Sequence, residues 1–342
     1  MINTAWLTLN RFCNFRCPWC YARGVGYSKH DDMSFELAEN LVYFLKSLQV
    51  SSIILAGGEP AYYSRLFDLI KLINSQGLRS ILATNGYRFK DMSFLERVEN
   101  SGLSGIDISI KASNKDQQLK LTGVDVFEDV KRAITNLSRI KNVSVSYSVV
   151  MSKYIIENIE EVASLIETLD KPNNKRILRY SLCTPTIGKD SKIYSDFLPS
   201  YPNLVNAVLT KFDSINNCFS GKVIIEQSSP LCLWPKEFIE NLKKNEQIAF
   251  GCHIQSRSGL VLDKDGKVIM CNVLPEFPIG QYGVDFNNRA EFEEFWMSNR
   301  LVTLYDKIYE YPSTKCMVCN DYLECGGGCP LKWLAYNTKE VL

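Results

Sequence analysis

Apolar and polar positions alternate in two rhythms over the first two thirds of the chain. Ala5-Trp6-Leu7-Thr8-Leu9 is a short hydrophobic run that reads as a strand, and residues 34–48 place Phe35, Leu37, Ala38, Leu41, Val42, Phe44 and Leu45 in a stripe of helical period. The pair then repeats. Strands are expected at 52–56, 80–83, 105–110, 143–150 and 177–182, with helices at 66–73, 92–98, 127–137, 159–169 and 204–212. Apolar strands alternating with amphipathic helices build a parallel sheet covered by helices. Six such units fit either a doubly wound sheet or a partial barrel. A turn is expected at 171–175, and 183–198, with Pro185 and Gly188, reads as a substrate-side loop. The rhythm stops after Gln227-Ser228-Ser229-Pro230. The expected organisation is an α/β unit over 1–229, a bridge over 230–250 and a small cysteine-rich domain over 251–342.

Polar residues gather where the expected strands end, which is where α/β folds place their chemistry. Cys13 to Cys20 follows the first strand, Gly57-Gly58-Glu59-Pro60 the second and Thr84-Asn85-Gly86 the third. On the fourth strand Asp107, Ser109 and Lys111 share a face opposite Ile106, Ile108 and Ile110; on the fifth, Ser144, Ser146 and Ser148 oppose Val143, Val145 and Val149. Such polar faces inside a strand layer need partners or ligands, or else form a hydrogen-bonded or solvated face.

Charge narrows the picture little. Lys plus Arg number 39 against 38 Asp plus Glu, so the summed field carries no footprint for nucleic acid or an anionic membrane. No run of 18 apolar residues and no basic-then-apolar amino terminus is present, so a cytoplasmic protein without a membrane span is expected. Cysteine usage is the exception. The chain has 12, and ten fall at positions 13, 17, 20, 232, 252, 271, 316, 319, 325 and 329. Cys183 and Cys218 read as buried thiols.

Cys13-Asn14-Phe15-Arg16-Cys17-Pro18-Trp19-Cys20 offers three thiols with three and then two intervening residues and no fourth nearby. Two readings follow: an iron-sulfur cube with one iron left open, or a structural zinc site, which normally has four ligands at closed spacing. The stretch resembles the CxxxCxxC loop of the radical S-adenosylmethionine (SAM) superfamily, including the aromatic Trp19 before the last cysteine. Gly57-Gly58-Glu59-Pro60 resembles that family's GGEP loop, and Thr84-Asn85-Gly86 its next strand-end loop. Asp107 to Lys111 with Leu121-Thr122-Gly123 is similar to the glycyl-radical activase branch. The resemblance implies a partial (β/α)6 TIM-like barrel, with a [4Fe-4S] cluster on Cys13, Cys17 and Cys20 whose fourth iron is chelated by the methionyl group of SAM. Gly57, Gly58, Glu59 and Pro60 would flank the methionyl ammonium, and Thr84 and Asn85 the methionine and ribose. Ser109, Lys111 and Ser148 would be polar cofactor contacts, and Arg179 a partner for the methionyl carboxylate.

In the last third, Asp263 to Gly266 suits a hairpin turn between residues 260–262 and 268–270, which would return Cys271 toward Cys252. Spacing alone leaves zinc-like structural sites and one or two auxiliary iron-sulfur clusters as alternatives. The order Cys252, Gly266, Cys271, then Cys316-x2-Cys319-x5-Cys325-x3-Cys329 resembles the SPASM domain of radical SAM maturases. By that resemblance Cys252, Cys271 and Cys329 join a first auxiliary cluster and Cys316, Cys319 and Cys325 a second, both of the [4Fe-4S] kind. The family's final downstream cysteine is missing. Asp321, another oxygen ligand, water or substrate then stands for it, while Cys232 is the chosen fourth ligand of the first cluster. A second role for Cys232 is as the hydrogen-atom donor of an epimerase.

The resemblance implies reductive cleavage of SAM to a 5'-deoxyadenosyl radical and hydrogen abstraction from a substrate. The preferred substrate is a ribosomally made peptide undergoing crosslinking or oxidative maturation; the alternative is epimerisation or dehydrogenation of a peptide or of a sugar or aminoglycoside intermediate. A flavodoxin- or ferredoxin-like protein is the expected electron donor. Because the first strand begins within five residues of the amino terminus, leader-peptide recognition is expected from a separate protein, the barrel mouth or the auxiliary domain.

Overall fold

The computed structural model describes residues 2–24, 26–170, 175–188, 190–309 and 312–341. Its first part follows β1 (Thr4–Thr8), α1 (Phe35–Ser47), β2 (Ser52–Ala56), α2 (Leu66–Ser75), β3 (Arg79–Thr84), α3 (Met92–Glu99), β4 (Gly105–Ile110), α4 (Lys115–Thr122), α5 (Phe127–Leu137), β5 (Ser144–Met151), α6 (Ile159–Leu169) and β6 (Ile177–Leu182). The turn expected at 171–175 lies, apart from Lys175, outside the described residues. A small hairpin, β7 (Thr186–Ile187) and β8 (Ile193–Tyr194), occupies the expected substrate-side loop. It is followed by α7 (Tyr201–Cys218), β9 (Lys222–Glu226), α8 (Lys236–Lys244) and β10 (Ile248–Ala249). The chain continues through α9 (His253–Ser256), β11 (Gly259–Leu262), β12 (Lys267–Ile269), β13 (Pro278–Gln281), α10 (Arg289–Trp296), α11 (Asn299–Tyr309), α12 (Thr314–Met317) and α13 (Tyr322–Cys325).

The strands form one eleven-stranded sheet in the order β10-β9-β6-β5-β4-β3-β2-β1-β11-β12-β13. From β10 to β11 every neighbouring pair is parallel, and β11-β12-β13 close the series as an antiparallel meander. This is the TIM-like α/β architecture of the expected partial barrel, extended beyond six strands at both ends. The expected bridge is not a plain linker, since it carries α8 and the edge strand β10. The cysteine-rich segment is continuous with the barrel because β11 pairs with β1, Thr4 opposite Gly259 through Leu7 opposite Leu262. The hairpin turn forms as its residues dictate: the Asp263 carboxylate accepts the Asp265 and Lys267 N–H groups, each at 2.9 Å.

Helices pack one apolar stripe on the sheet and leave the other strand face hollow. In α1, Ser34 accepts the Leu37 N–H at 3.2 Å, a cap worth about 1 kcal/mol, and Ala38, Leu41, Val42 and Leu45 are buried. Ile106, Ile108 and Ile110 of β4 and Val145, Tyr147 and Val149 of β5 are buried toward the helices. Asp107, Ser109, Ser146 and Ser148 face the other way and stay half-buried, in register: Asp107 opposite Ser146, Ser109 opposite Ser148. Between α6 and β6, Asp170 accepts Arg176 through both Nε (2.6 Å) and Nη2 (3.2 Å) and the Tyr147 hydroxyl at 2.6 Å, with all three groups buried.

Candidate active site

The loop after β1 is laced to the loop after β2. Gly58 N–H donates to Asn10 O at 2.9 Å, Glu59 N–H to Phe12 O at 2.6 Å, and the fully buried Asn10 returns its amide to Glu59 O at 2.9 Å. A β-carbon on Gly57 would collide with Asn10, and one on Gly58 with the Arg11 and Phe12 carbonyls, so only glycine permits this approach. The loop after β3 is clamped by Glu59. That carboxylate, 1% exposed, accepts the Thr84 hydroxyl at 2.5 Å, the Asn85 N–H at 2.7 Å and the Ala61 N–H at 3.1 Å. Burial raises its pKa despite these donors and the nearby Lys111. Asn85 in turn donates to Asn14 Oδ1 at 2.8 Å and reaches Cys13 Sγ at 3.8 Å.

These three strand ends enclose a cavity of about 280 Å³. Cys13, Cys17, Cys20 and Trp19 form one wall, Gly57, Gly58 and Glu59 a second, and Thr84 and Asn85 a third; Asp107, Ser109, Lys111 and Ser148 lie on the β4–β5 side. Sequence reasoning therefore placed most of its candidates around one space. Pro60 is the exception at the loop, buried behind Glu59 as the first residue of a 3-10 turn. Arg179 is the exception on the strands. It lies between Asp107 (4.0 Å) and Glu226 (3.8 Å), donates to Ser146 Oγ at 3.2 Å, and is outside the cavity wall.

The donor set suits a cation-bearing group. Burial, with Glu59 next, pushes the Cys13 thiol up to about 12, and burial pushes Cys17 up to about 11, opposed by Lys111. Thiolates here need positive charge brought to the sulfurs, which bound iron provides. Phe15 N–H already points at Cys13 Sγ at 3.3 Å, a donor for a ligating sulfur. Among the described residues no three His, Cys, Asp or Glu side chains converge on a single-ion site.

A second cavity of about 580 Å³ adjoins the first, and Trp6 and Asn272 line both. Cys252, Cys271, Cys325 and Cys329 line its far side and Glu226 its barrel side. Cys271 is half-buried, its thiol pushed up to about 12 chiefly by desolvation and further by the neighbouring Cys329 and Cys252. Cys232 departs from its expected place. It is exposed, lines neither cavity, and has Cys325, Cys316 and Cys319 as its electrostatic neighbours. The turn Leu231–Leu233 folds onto Cys325, whose Sγ accepts the Leu231 N–H at 3.3 Å. Of the two expected buried thiols, Cys183 is buried and Cys218 half-buried.

Sequence reading missed several residues that build this region. Asn10 and Asn14 brace the cysteine loop, and a lone asparagine carries no pattern that announces it. Glu226 closes β9, in a stretch to which the sequence reading assigned no element. Lys332, 1% exposed, donates to Ser228 Oγ at 2.7 Å; burial lowers its pKa to about 8 against the opposing pull of Cys329 and Cys183.

Residues 7–169 match the family model of the radical SAM superfamily, which places the amino-terminal half of this chain in that superfamily. Comparison of whole folds carries the likeness further. The chain superposes on anSMEcpe with bound AdoMet at a TM-score of 0.69, with 18% identity and coverage of 95% of this chain and 88% of that one. Against Streptococcus suis SuiB bound to precursor peptide SuiA the TM-score is 0.71, with 14% identity and coverage of 100% and 75%. At these identities the likeness is one of fold, and it includes the cysteine-rich region. Among curated relatives, a probable GTP 3',8-cyclase of Saccharolobus islandicus (strain L.S.2.15 / Lassen #1) is 29% identical over 162 residues, 47% of this chain and 51% of the relative. One of Thermococcus kodakarensis is 27% identical over 139 residues, 40% and 45%. The chain spans about half the length of the curated relatives it matches. No helix among the described residues is long and apolar enough to cross a membrane.

Proposed function

We propose that this chain is a radical SAM enzyme that initiates hydrogen-atom abstraction on a peptide. A bound [4Fe-4S] cluster would supply the electron that reductive cleavage of SAM to methionine and a 5'-deoxyadenosyl radical requires. Cys13, Cys17 and Cys20 would hold three corners of that cluster, with Asn85 and the Phe15 N–H steadying the Cys13 sulfur and Trp19 walling the site. Glu59 fixes the Thr84–Asn85 loop at the distance the glycines allow, so the two loops form one rigid rim for the methionyl end of SAM. Lys111, with its ammonium bonded to Ser109, places a positive charge opposite the cysteines, and Ser148 adds a hydroxyl on the same face. Arg179, held by Asp107 and Glu226, sits where the two cavities approach each other and orients the polar floor.

The single observation that carries the reading is the lacing of the cysteine loop to Gly58, Glu59 and Asn85 around one cavity. A peptide substrate is supported by the larger adjoining cavity and by the whole-chain fold likeness to SuiB, whose structure holds a precursor peptide. The match to GTP 3',8-cyclases favours a nucleotide as the second reading, although it covers 47% of the chain. An epimerase using Cys232 as hydrogen donor loses support, since that thiol lines neither cavity. We divide the chain into a barrel over 1–229, a connecting segment over 230–250 and an auxiliary-cluster module over 251–342, with clusters of the [4Fe-4S] kind. A flavodoxin- or ferredoxin-like protein supplies electrons, and the peptide is recognised by a separate protein, the barrel mouth or the auxiliary domain. Anaerobic reconstitution with iron, sulfide, SAM and dithionite tests the core proposal. The iron-loaded protein is expected to release 5'-deoxyadenosine and methionine and Cys17→Ala to release none; an iron-loaded parent that leaves SAM intact overturns it.

A further inference from the structure

We infer that Cys232 is the fourth ligand of an iron-sulfur site formed with Cys316, Cys319 and Cys325, supplied from upstream in the chain. The inference rests on the reading of the carboxy-terminal cysteines as cluster ligands.

Cys316 and Cys325 are presented by the short helical turns α12 and α13, with Cys319 in the bend between them. Cys319 N–H donates to Cys316 O at 3.2 Å, Tyr322 N–H to Cys319 O at 3.1 Å and Cys325 N–H to Asp321 O at 2.8 Å. Three thiols on one compact double turn can hold three corners of a cube. The segment that supplies the fourth is pinned on both sides of Cys232. Before it, Ser228 O accepts the Cys329 N–H at 2.9 Å, Ser228 Oγ accepts the Lys332 ammonium at 2.7 Å, and Pro230 packs on Gly328 so closely that a β-carbon there would stand 3.0 Å from the proline ring. At it, Leu231 N–H points at Cys325 Sγ from 94 residues away in sequence. After it, Lys243 of α8 pairs with Glu324 of α13. Residues 228–243 are thereby fastened to 324–332, and Cys232, exposed between the fasteners, has Cys325, Cys316 and Cys319 as its neighbours.

Asp321 is the rival ligand. It is exposed, precedes α13 without capping it, and brings a hard oxygen where thiolates are the usual iron-sulfur donors. Ligation by Cys232 also gives the long excursion from residue 232 to residue 325 a covalent tie, so that loading the cluster orders the segment between barrel and module.

The test is metal and sulfide counting with Mössbauer and EPR spectra of the full-length protein, reconstituted anaerobically as parent, Cys232→Ala, Cys232→Ser and Asp321→Asn. Because Cys232 is exposed, its truncation leaves the core intact. The SAM-dependent EPR change of the amino-terminal cluster serves as the check on folding. Cys232→Ala is expected to lose about four irons per chain or to convert one cluster to a three-iron form. Cys232→Ser is expected to keep iron with an altered spectrum at one cluster, and Asp321→Asn to match the parent. Parent-level iron, sulfide and spectra in Cys232→Ala overturn the assignment, as does loss of a cluster in Asp321→Asn with Cys232→Ala intact. A parent that holds all its iron yet leaves SAM uncleaved rejects the proposed reaction and leaves the ligand assignment standing.

Discussion

Replacing Glu59 by Gln tests whether one buried carboxylate holds the rim of the site together. The carboxylate accepts three donors at once: Thr84 Oγ1 and Ala61 N–H on Oε1, Asn85 N–H on Oε2. Glutamine keeps a single acceptor oxygen. If that oxygen serves Thr84 and Ala61, the new NH2 group faces the Asn85 N–H, two donors in contact in a buried site. Leaving one buried N–H without an acceptor costs about 1–3 kcal/mol. For a protein of this size that corresponds to a fall in Tm of about 1.5–4 °C at matched iron loading. Because Asn85 also reaches Cys13 and Asn14, SAM affinity is expected to drop in the same variant. Thermal unfolding of Glu59→Gln, Thr84→Val and the double variant, with SAM titration of each, provides the assay. A clamp predicts a coupling energy above about 0.5 kcal/mol between the two positions. A Tm within about 1 °C of the parent, together with unchanged SAM affinity, would refute the clamp.

Gly58→Ala forces a β-carbon into the Arg11 and Phe12 carbonyls, so the cysteine loop must move; iron retained at Cys13, Cys17 and Cys20 is expected to fall sharply, and metal analysis reads it. Asp170→Ala strands the buried Arg176 guanidinium and is expected to cost about 3–5 kcal/mol, measured by denaturant unfolding, with SAM cleavage per folded molecule unchanged. Asp263 is buried enough that its pKa rises above the ordinary 3.8 despite the two N–H groups and Arg11 at 3.6 Å. The folded state then holds this proton more tightly than the unfolded chain, so stability contributed here is fully present below 3.8 and declines as pH climbs through the folded value. Asp263→Asn keeps both turn bonds and removes the titration. Its stability curve is expected to flatten over that window relative to the parent, and parallel curves would count against the reasoning.

The barrel was legible because its signals are local. Strand alternation at β4 and β5 and the stripe of α1 each sit within a dozen residues, and the three polar strand-end loops follow directly from strand order. Elements without a local signal were not. Helix α4 depends on the Asn114 cap and buries Gln118 while exposing Leu119, the reverse of an apolar stripe. Strand β10, two residues long, is too short to show a period, and β9, which went unread, carries Glu226 to the second cavity. The pairing of β11 with β1 joins residues some 250 apart, and no periodicity predicts such a contact. Cys232 illustrates the same limit: its neighbours Cys325, Cys316 and Cys319 follow from where the turn Leu231–Leu233 packs, which spacing does not show.

The most direct measurement is a SAM-bound crystal structure with anomalous iron density. It should show a four-iron cluster on Cys13, Cys17 and Cys20, three irons held by protein and the fourth by the methionyl amine and carboxylate. A single zinc at that position, or a fourth protein side chain closing the cluster, would contradict the account.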